Sequence, residues 1–119
     1  MKIIIYGGGK TGLYLTRRLT LEGHDVSVIE KEEAACQKIS SQYDVAVIKS
    51  AGIKLDVFNR EVFDGCDLFI AVSSVDELNI MSCSTAKKLG TPRTVARVRN
   101  SDYEQMQELL ERGTETRPK

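Results

Sequence analysis

Three glycines spaced as Gly7-x-Gly9-x-x-Gly12 separate an apolar run, Lys2-Ile3-Ile4-Ile5-Tyr6, from a segment with leucines at 13, 15, 19 and 21. At a strand-to-helix junction each glycine has its own task. Gly7 permits a tight turn, Gly9 lets the backbone approach a pyrophosphate, and Gly12 lets helix and strand pack closely. Phosphates are favoured there because the helix start offers free amides and the positive end of its dipole. Lys10 and Thr11 lie in the same turn. Lys10 projects beside the helix start, where it suits either a phosphate contact or a solvated surface. Position 4 is Ile and not the glycine that a Walker A loop needs five residues before Gly9, so Gly9-Lys10-Thr11 is not a P-loop.

A second signal is Glu30, which closes the run Asp25-Val26-Ser27-Val28-Ile29-Glu30. An acidic side chain at this strand end accepts hydrogen bonds from both ribose hydroxyls of an adenosine, and it repels a 2′-phosphate. Lys31 softens that repulsion without reversing it. As a strand-end residue, Glu30 is not required to pack. A third segment, Val72-Ser73-Ser74-Val75-Asp76-Glu77-Leu78-Asn79, supplies the facing wall. Ser73 and Ser74 offer hydroxyls, Asp76 reads as a helix cap, and Asn79 has two uses open to it: ligand contact or satisfaction of loop backbone groups.

These residues need a frame. Short apolar runs at 2–6, 25–30, 45–48, 67–72 and 94–98 read as buried strands, and helical patterns at 13–21, 31–42, 56–63 and 76–89 lie between them. Ser101-Asp102-Tyr103-Glu104 resembles a capping box opening a last helix, with Tyr103, Met106, Leu109 and Leu110 on one face and Gly113 at its end. Alternating strands and helices predict an α/β, Rossmann-like, doubly wound parallel sheet of order 3-2-1-4-5 with helices on both faces. One domain over 1–113 and a polar tail over 114–119 account for the sequence. The crevice would open between strands one and four, where the strand order reverses.

Lys plus Arg and Asp plus Glu each total 17, giving a formal charge of zero, which argues against general nucleic-acid or membrane-surface binding. Cys36, Cys66 and Cys83 lack C-x-x-C spacing and, with the single His24, make no zinc pattern, so they are expected as buried reduced thiols. No apolar run of about 20 residues appears, and a cytoplasmic location is expected. His24 falls in a Gly23-His24-Asp25 turn at the sheet end away from the crevice. Catalysts are therefore scarce, and the expectation is a binding domain and not an enzyme. The competing reading is a small NAD-dependent oxidoreductase or a fragment of one.

The segments Ala71-Val72-Ser73-Ser74-Val75-Asp76-Glu77-Leu78-Asn79 and Ala96-Arg97-Val98-Arg99-Asn100, the latter followed by Asp102-Tyr103, carry a more specific likeness. From Met1 to about Arg112 the chain resembles the TrkA N-terminal domain family, also called KTN or RCK, the cytosolic nucleotide-binding regulators of potassium channels and transporters. That resemblance implies NAD(H) or ATP/ADP bound without turnover, and assembly into dimers or larger rings that act on a membrane potassium transporter or channel subunit. The protein would then be peripheral to the inner membrane face through its partner. The resemblance also implies that Lys10, directly after the second glycine, touches phosphates, and that Arg97 and Arg99 reach them, in some members across a subunit interface. Many members carry Gly-Asp-Ala-Thr after the third strand, the Asp contacting adenine. Here Ser50-Ala51-Gly52-Ile53 stands instead, which assigns base recognition to backbone groups of Ala51 and Gly52. Members usually add a sixth strand and often a second ligand-binding domain.

With the fifth strand as a sheet edge and the last helix bearing an apolar stripe, self-association through that side is also expected.

Overall fold

A computed structural model describes residues 1–103, 105 and 106. The elements run β1 Lys2–Tyr6, α1 Lys10–Leu21, β2 Asp25–Glu30, α2 Glu33–Gln42, β3 Ala46–Lys49, β4 Leu68–Ala71, α3 Asp76–Lys88 and β5 Arg93–Ala96. The strands form one parallel sheet in the order β3-β2-β1-β4-β5. The polypeptide thus starts in the centre, winds outward through β2 and β3, then crosses back to β4 and β5. This reversal leaves a gap at the carboxyl ends of β1 and β4, the position of the ligand crevice in doubly wound sheets.

Alternation along β1 divides the core into two layers. Ile3 and Ile5 face Leu13, Leu15 and Leu19 of α1 and Ile39 of α2, an aliphatic layer completed by Val26, Val28, Ile70 and Val72. Ile4 and Tyr6 face the opposite side, with Phe69, Cys83 and Ala86 of α3, and Val57, Phe58 and Phe63. Parallel strands covered on both faces need apolar side chains at successive positions, which is why β1 reads as a continuous run and not an alternating one.

The helix expected at 56–63 is absent. That segment is a succession of turns, in which the N–H groups of Val57 and Phe58 both bond to the Lys54 carbonyl (3.1 and 2.8 Å). Asn59 replaces helical hydrogen bonds with its own side chain, donating to the Leu55 carbonyl (2.8 Å) and accepting from the Val62 N–H (2.9 Å). Short amide side chains compete with the helical ladder in this way. The apolar residues that suggested a helix are nevertheless buried, with Phe58 and Phe63 stacked at 5.3 Å and both rings against Phe69 (6.0 and 5.6 Å).

Two strands are shifted relative to expectation. β3 runs one residue later, Ala46–Lys49, and β5 one earlier and shorter, Arg93–Ala96. β5 ends at Ala96; the Arg97 N–H still bonds to the Ala71 carbonyl of β4 (2.9 Å), and the Arg97 side chain turns toward the crevice. Residues 101–103 are helical, but the cap is not the expected Ser101: the Asn100 side chain accepts the Asp102 N–H (2.9 Å), while Glu104, Leu109, Leu110 and Gly113 lie outside the described residues.

Candidate nucleotide-binding site

A cleft of about 630 Å³ opens at the carboxyl ends of β1, β2 and β4. Its floor is the glycine turn. Gly7 has φ +111°, and a Cβ there would lie 2.8 Å from the Ser73 N, so both conformation and proximity to β4 demand glycine. At Gly12 a Cβ would lie 1.8 Å from the Gly7 carbonyl oxygen, a helix-to-strand contact that no side chain permits. Gly9 differs from both: a Cβ there would meet nothing within 4 Å. Its glycine is not required by the protein's own packing, and the open space before it is what an approaching phosphate needs. Gly9 is also the N-cap of α1 and brings no side-chain cap, so the first amides of that helix are not taken by one.

Glu30 is 8% exposed, and its carboxylate is held before any ligand arrives. One oxygen accepts the Gly8 N–H (2.5 Å) and the other the Glu32 N–H (2.7 Å). A carboxylate offers about four acceptor positions, so roughly two remain for a ribose diol. Nothing in the G-x-G-x-x-G spacing singles out Gly8, yet it donates to Glu30, and a Cβ on it would sit 2.9 Å from both Glu30 Oε1 and Ile39 Cδ1. The uninterrupted Gly7-Gly8-Gly9 triplet was the available clue. The packing of Glu30 also corrects the expectation that this strand-end residue is not required to pack. Tyr6 borders the same region, its phenol pushed above its ordinary value by burial and then by the Glu30 charge.

Arg97 forms the far wall. Its guanidinium donates to the Thr11 hydroxyl (2.9 Å) and to the carbonyls of Val72 (2.8 Å) and Ser73 (3.0 Å), joining α1 to the end of β4. All three acceptors are neutral, and the buried Nε has no acceptor. Among the described residues no carboxylate is ion-paired with Arg97. Lys10, Lys31 and Arg99 also border the cleft, as do the carboxylates Glu30 and Glu32.

Gly7, Gly9, Lys10, Thr11, Glu30, Lys31, Gly52, Ser73, Ser74 and Arg97 all line this one cleft. Gly12, Ala51 and Asn79 do not. Gly12 serves packing, and Gly52 and Ser50 border the cleft in place of Ala51. Asn79 is 0% exposed, with its amide committed to Ser73 and Arg97, so of its two expected uses it has the backbone one. Asp76 is not a cap: Val75 holds that position, and the Asp76 carboxylate instead accepts the N–H groups of Arg99 (3.1 Å) and Asn100 (2.8 Å). His24 sits at the opposite end of the sheet, its Nδ1 3.1 Å from the Met1 amine. Among the described residues no group of three or more His, Cys, Asp or Glu is placed to hold a metal.

A five-stranded doubly wound sheet with a glycine turn at its switch point is a Rossmann-type domain. Structural likeness agrees: the NAD(P)-binding domain of an exopolyphosphatase-related protein from Archaeoglobus fulgidus superposes with a TM-score of 0.67 at 17% identity, covering 89% of this chain and 80% of that one. The Escherichia coli O157:H7 anaerobilin reductase ChuY superposes with a TM-score of 0.64 at 16% identity, covering 80% and 50%. More narrowly, residues 3–114 match the TrkA-N domain model, and the chain belongs to that family. It is 35% identical over 105 residues to a Trk system potassium uptake protein TrkA homolog of Methanothermobacter thermautotrophicus, covering 88% of this chain and 49% of the relative. The corresponding Haemophilus influenzae TrkA is 33% identical over 104 residues, covering 87% and 23%. The chain therefore spans about half the length of the first relative and about a quarter of the second.

Proposed function

We propose that this chain is the nucleotide-sensing regulatory domain of a potassium uptake system, binding NAD(H), or alternatively ATP/ADP, without chemical turnover. The observation that carries this reading is the pairing of two pre-set groups across one cleft. Glu30 is fixed by two backbone amides with acceptor capacity to spare, and Arg97 holds a positive charge against neutral oxygens beside the start of α1. An adenosine carrying a pyrophosphate fits this polarity, its ribose on Glu30 and its phosphates between the Gly9 turn and Arg97. Ser50 and Gly52 border the base end, in keeping with recognition by backbone groups there.

The names of the relatives support a membrane potassium transporter as partner. No helix among the described residues is long and apolar enough to cross a membrane, and regulation from the cytoplasmic side through such a partner is the arrangement proposed. Self-association belongs to the same reading, since β5 is an edge of the described sheet with Val95 54% exposed.

A thermal-shift screen with NAD, NADH, NADP, ATP and ADP tests the proposal. Ligand at 100 times its dissociation constant adds about 2.7 kcal/mol of stability. NAD(H) or ATP/ADP should stabilise and NADP should stabilise least. No response to any adenine nucleotide defeats the reading.

A further inference from the structure

The first turn of α3 grips three separate parts of the chain with its three polar side chains. Asn79 accepts the Ser73 N–H (2.9 Å) and hydroxyl (2.6 Å) and donates to the carbonyls of Ser73 and Arg97 (both 2.9 Å). Asp76 holds the backbone of Arg99 and Asn100. Glu77 accepts the Tyr103 hydroxyl at 2.8 Å. One helical turn thus frames the whole segment from Arg97 to Tyr103, which begins in the cleft and ends at the start of the last helix.

We propose, building on the nucleotide reading above, that Asp76 is a positioning residue for the ligand's phosphates, acting through Arg97 and Arg99, and that Glu77 and Tyr103 join the start of the last helix to the same unit. Arg97 is the link. Its main chain is fixed on both sides, the N–H by Ala71 and the carbonyl by Asn79, while its guanidinium contacts only neutral acceptors. A phosphate is a stronger acceptor than any of these, because its negative charge adds ion pairing to bonds whose donor is already charged and it can take two guanidinium N–H groups at once. Phosphate binding therefore draws on Arg97, and the Asp76 bonds carry the effect along the segment instead of letting the loop absorb it. Coupling of this kind is reciprocal, so loosening the segment weakens phosphate binding.

The test uses the full chain, with ADP titrated by calorimetry and adenosine by NMR chemical shifts, which read millimolar affinities. Asp76→Ala should weaken ADP binding by about fivefold or more, the lower end of ordinary coupling, and leave adenosine binding nearly unchanged. Asp76→Asn keeps one acceptor and should fall between, which preserves the test if the alanine variant folds poorly. In hydrogen exchange, ADP should slow the amides of residues 97–103 in the wild type. Tyr103→Phe should reduce that protection at 101–103 without altering residues of the glycine turn. Equal losses for ADP and adenosine, an unchanged ADP affinity, or exchange at 97–103 indifferent to ADP would each overturn the inference. A wild type that binds no adenine nucleotide removes the nucleotide reading itself, and this inference with it.

Discussion

Glu30 and Gly9 show how two residues of one motif differ in what they owe to the fold. Glu30 is a proposed ligand group and also a structural one, since it closes the glycine turn onto β2 through the Gly8 and Glu32 amides. Glu30→Ala is expected to weaken nucleotide binding by about 1.5–3 kcal/mol, the range for hydrogen bonds to a charged group. It should also lower the urea midpoint, because two amides lose their acceptor; unchanged affinity in calorimetry would remove Glu30 from the site. Gly9 carries no such double duty. With φ −72° and ψ −162° it sits in ordinary extended backbone, and nothing lies where its Cβ would go. Gly9→Val should therefore keep a near-native melting temperature and lose nucleotide binding, whereas normal binding by the folded variant would place the phosphates elsewhere. The cysteines give a third expectation. Burial pushes the Cys83 thiol up to about 11, and burial also raises Cys36 and Cys66. Since the thiolate is the nucleophile, iodoacetamide at pH 8 should leave all three unmodified in the native protein and label all three in denaturant. Rapid native labelling, read by mass spectrometry, would contradict the buried assignment.

At the scale of elements, what the sequence revealed depended on how local the cause was. The glycine spacing, the apolar strands and Glu30 are patterns within a few residues, and the sheet order followed from them with the handedness of crossovers. The turn segment at 54–65 was hidden because Val57, Phe58, Val62 and Phe63 satisfy a helical reading, and only the Asn59 side-chain bonds show otherwise. The role of Asp76 was equally hidden, because the amides it accepts lie 23 and 24 residues away along the chain, whereas the backbone use of Asn79 was foreseen and only its bond to the Arg97 carbonyl, 18 residues on, was out of local reach. Asp76 gives this element a pH signature. The Arg99 and Asn100 amides hold its carboxyl below the ordinary value of 3.8. A depressed carboxylate stabilises the fold above its unfolded value, and the contribution disappears as pH falls through the lower folded value. The stability gap between wild type and Asp76→Asn in urea denaturation should accordingly be present at pH 6 and close as pH falls below 3.8. A gap independent of pH would show that the ionised form is not what those amides favour.

For the whole molecule, exposed apolar residues lie on several elements, with Tyr14 and Leu21 on α1 and Leu55 in the turn segment exposed as well as those near β5. Val95 on the edge strand β5, Met81 on α3 (57% exposed) and Met106 (55% exposed) are large side chains left in contact with solvent. Unpaired strand edges and exposed apolar surface favour association. The protein should sediment as a dimer or larger species at micromolar concentration, and Val95→Lys should shift it toward monomer. A wild type that remains monomeric with and without nucleotide would weaken the regulator reading as a whole.

The doubly wound sheet also gives the molecule a usable polarity. The cleft lies at the carboxyl ends of the strands, whereas the Met1 amine meets His24 and the Lys2 backbone meets Asp67 at the other end. A biotin or affinity tag fused ahead of Met1 would sit on the face remote from the cleft. Tethered to a sensor surface by that tag, the domain would present its nucleotide site outward, so ligand screening by immobilised-protein optics should report the same affinities as free solution.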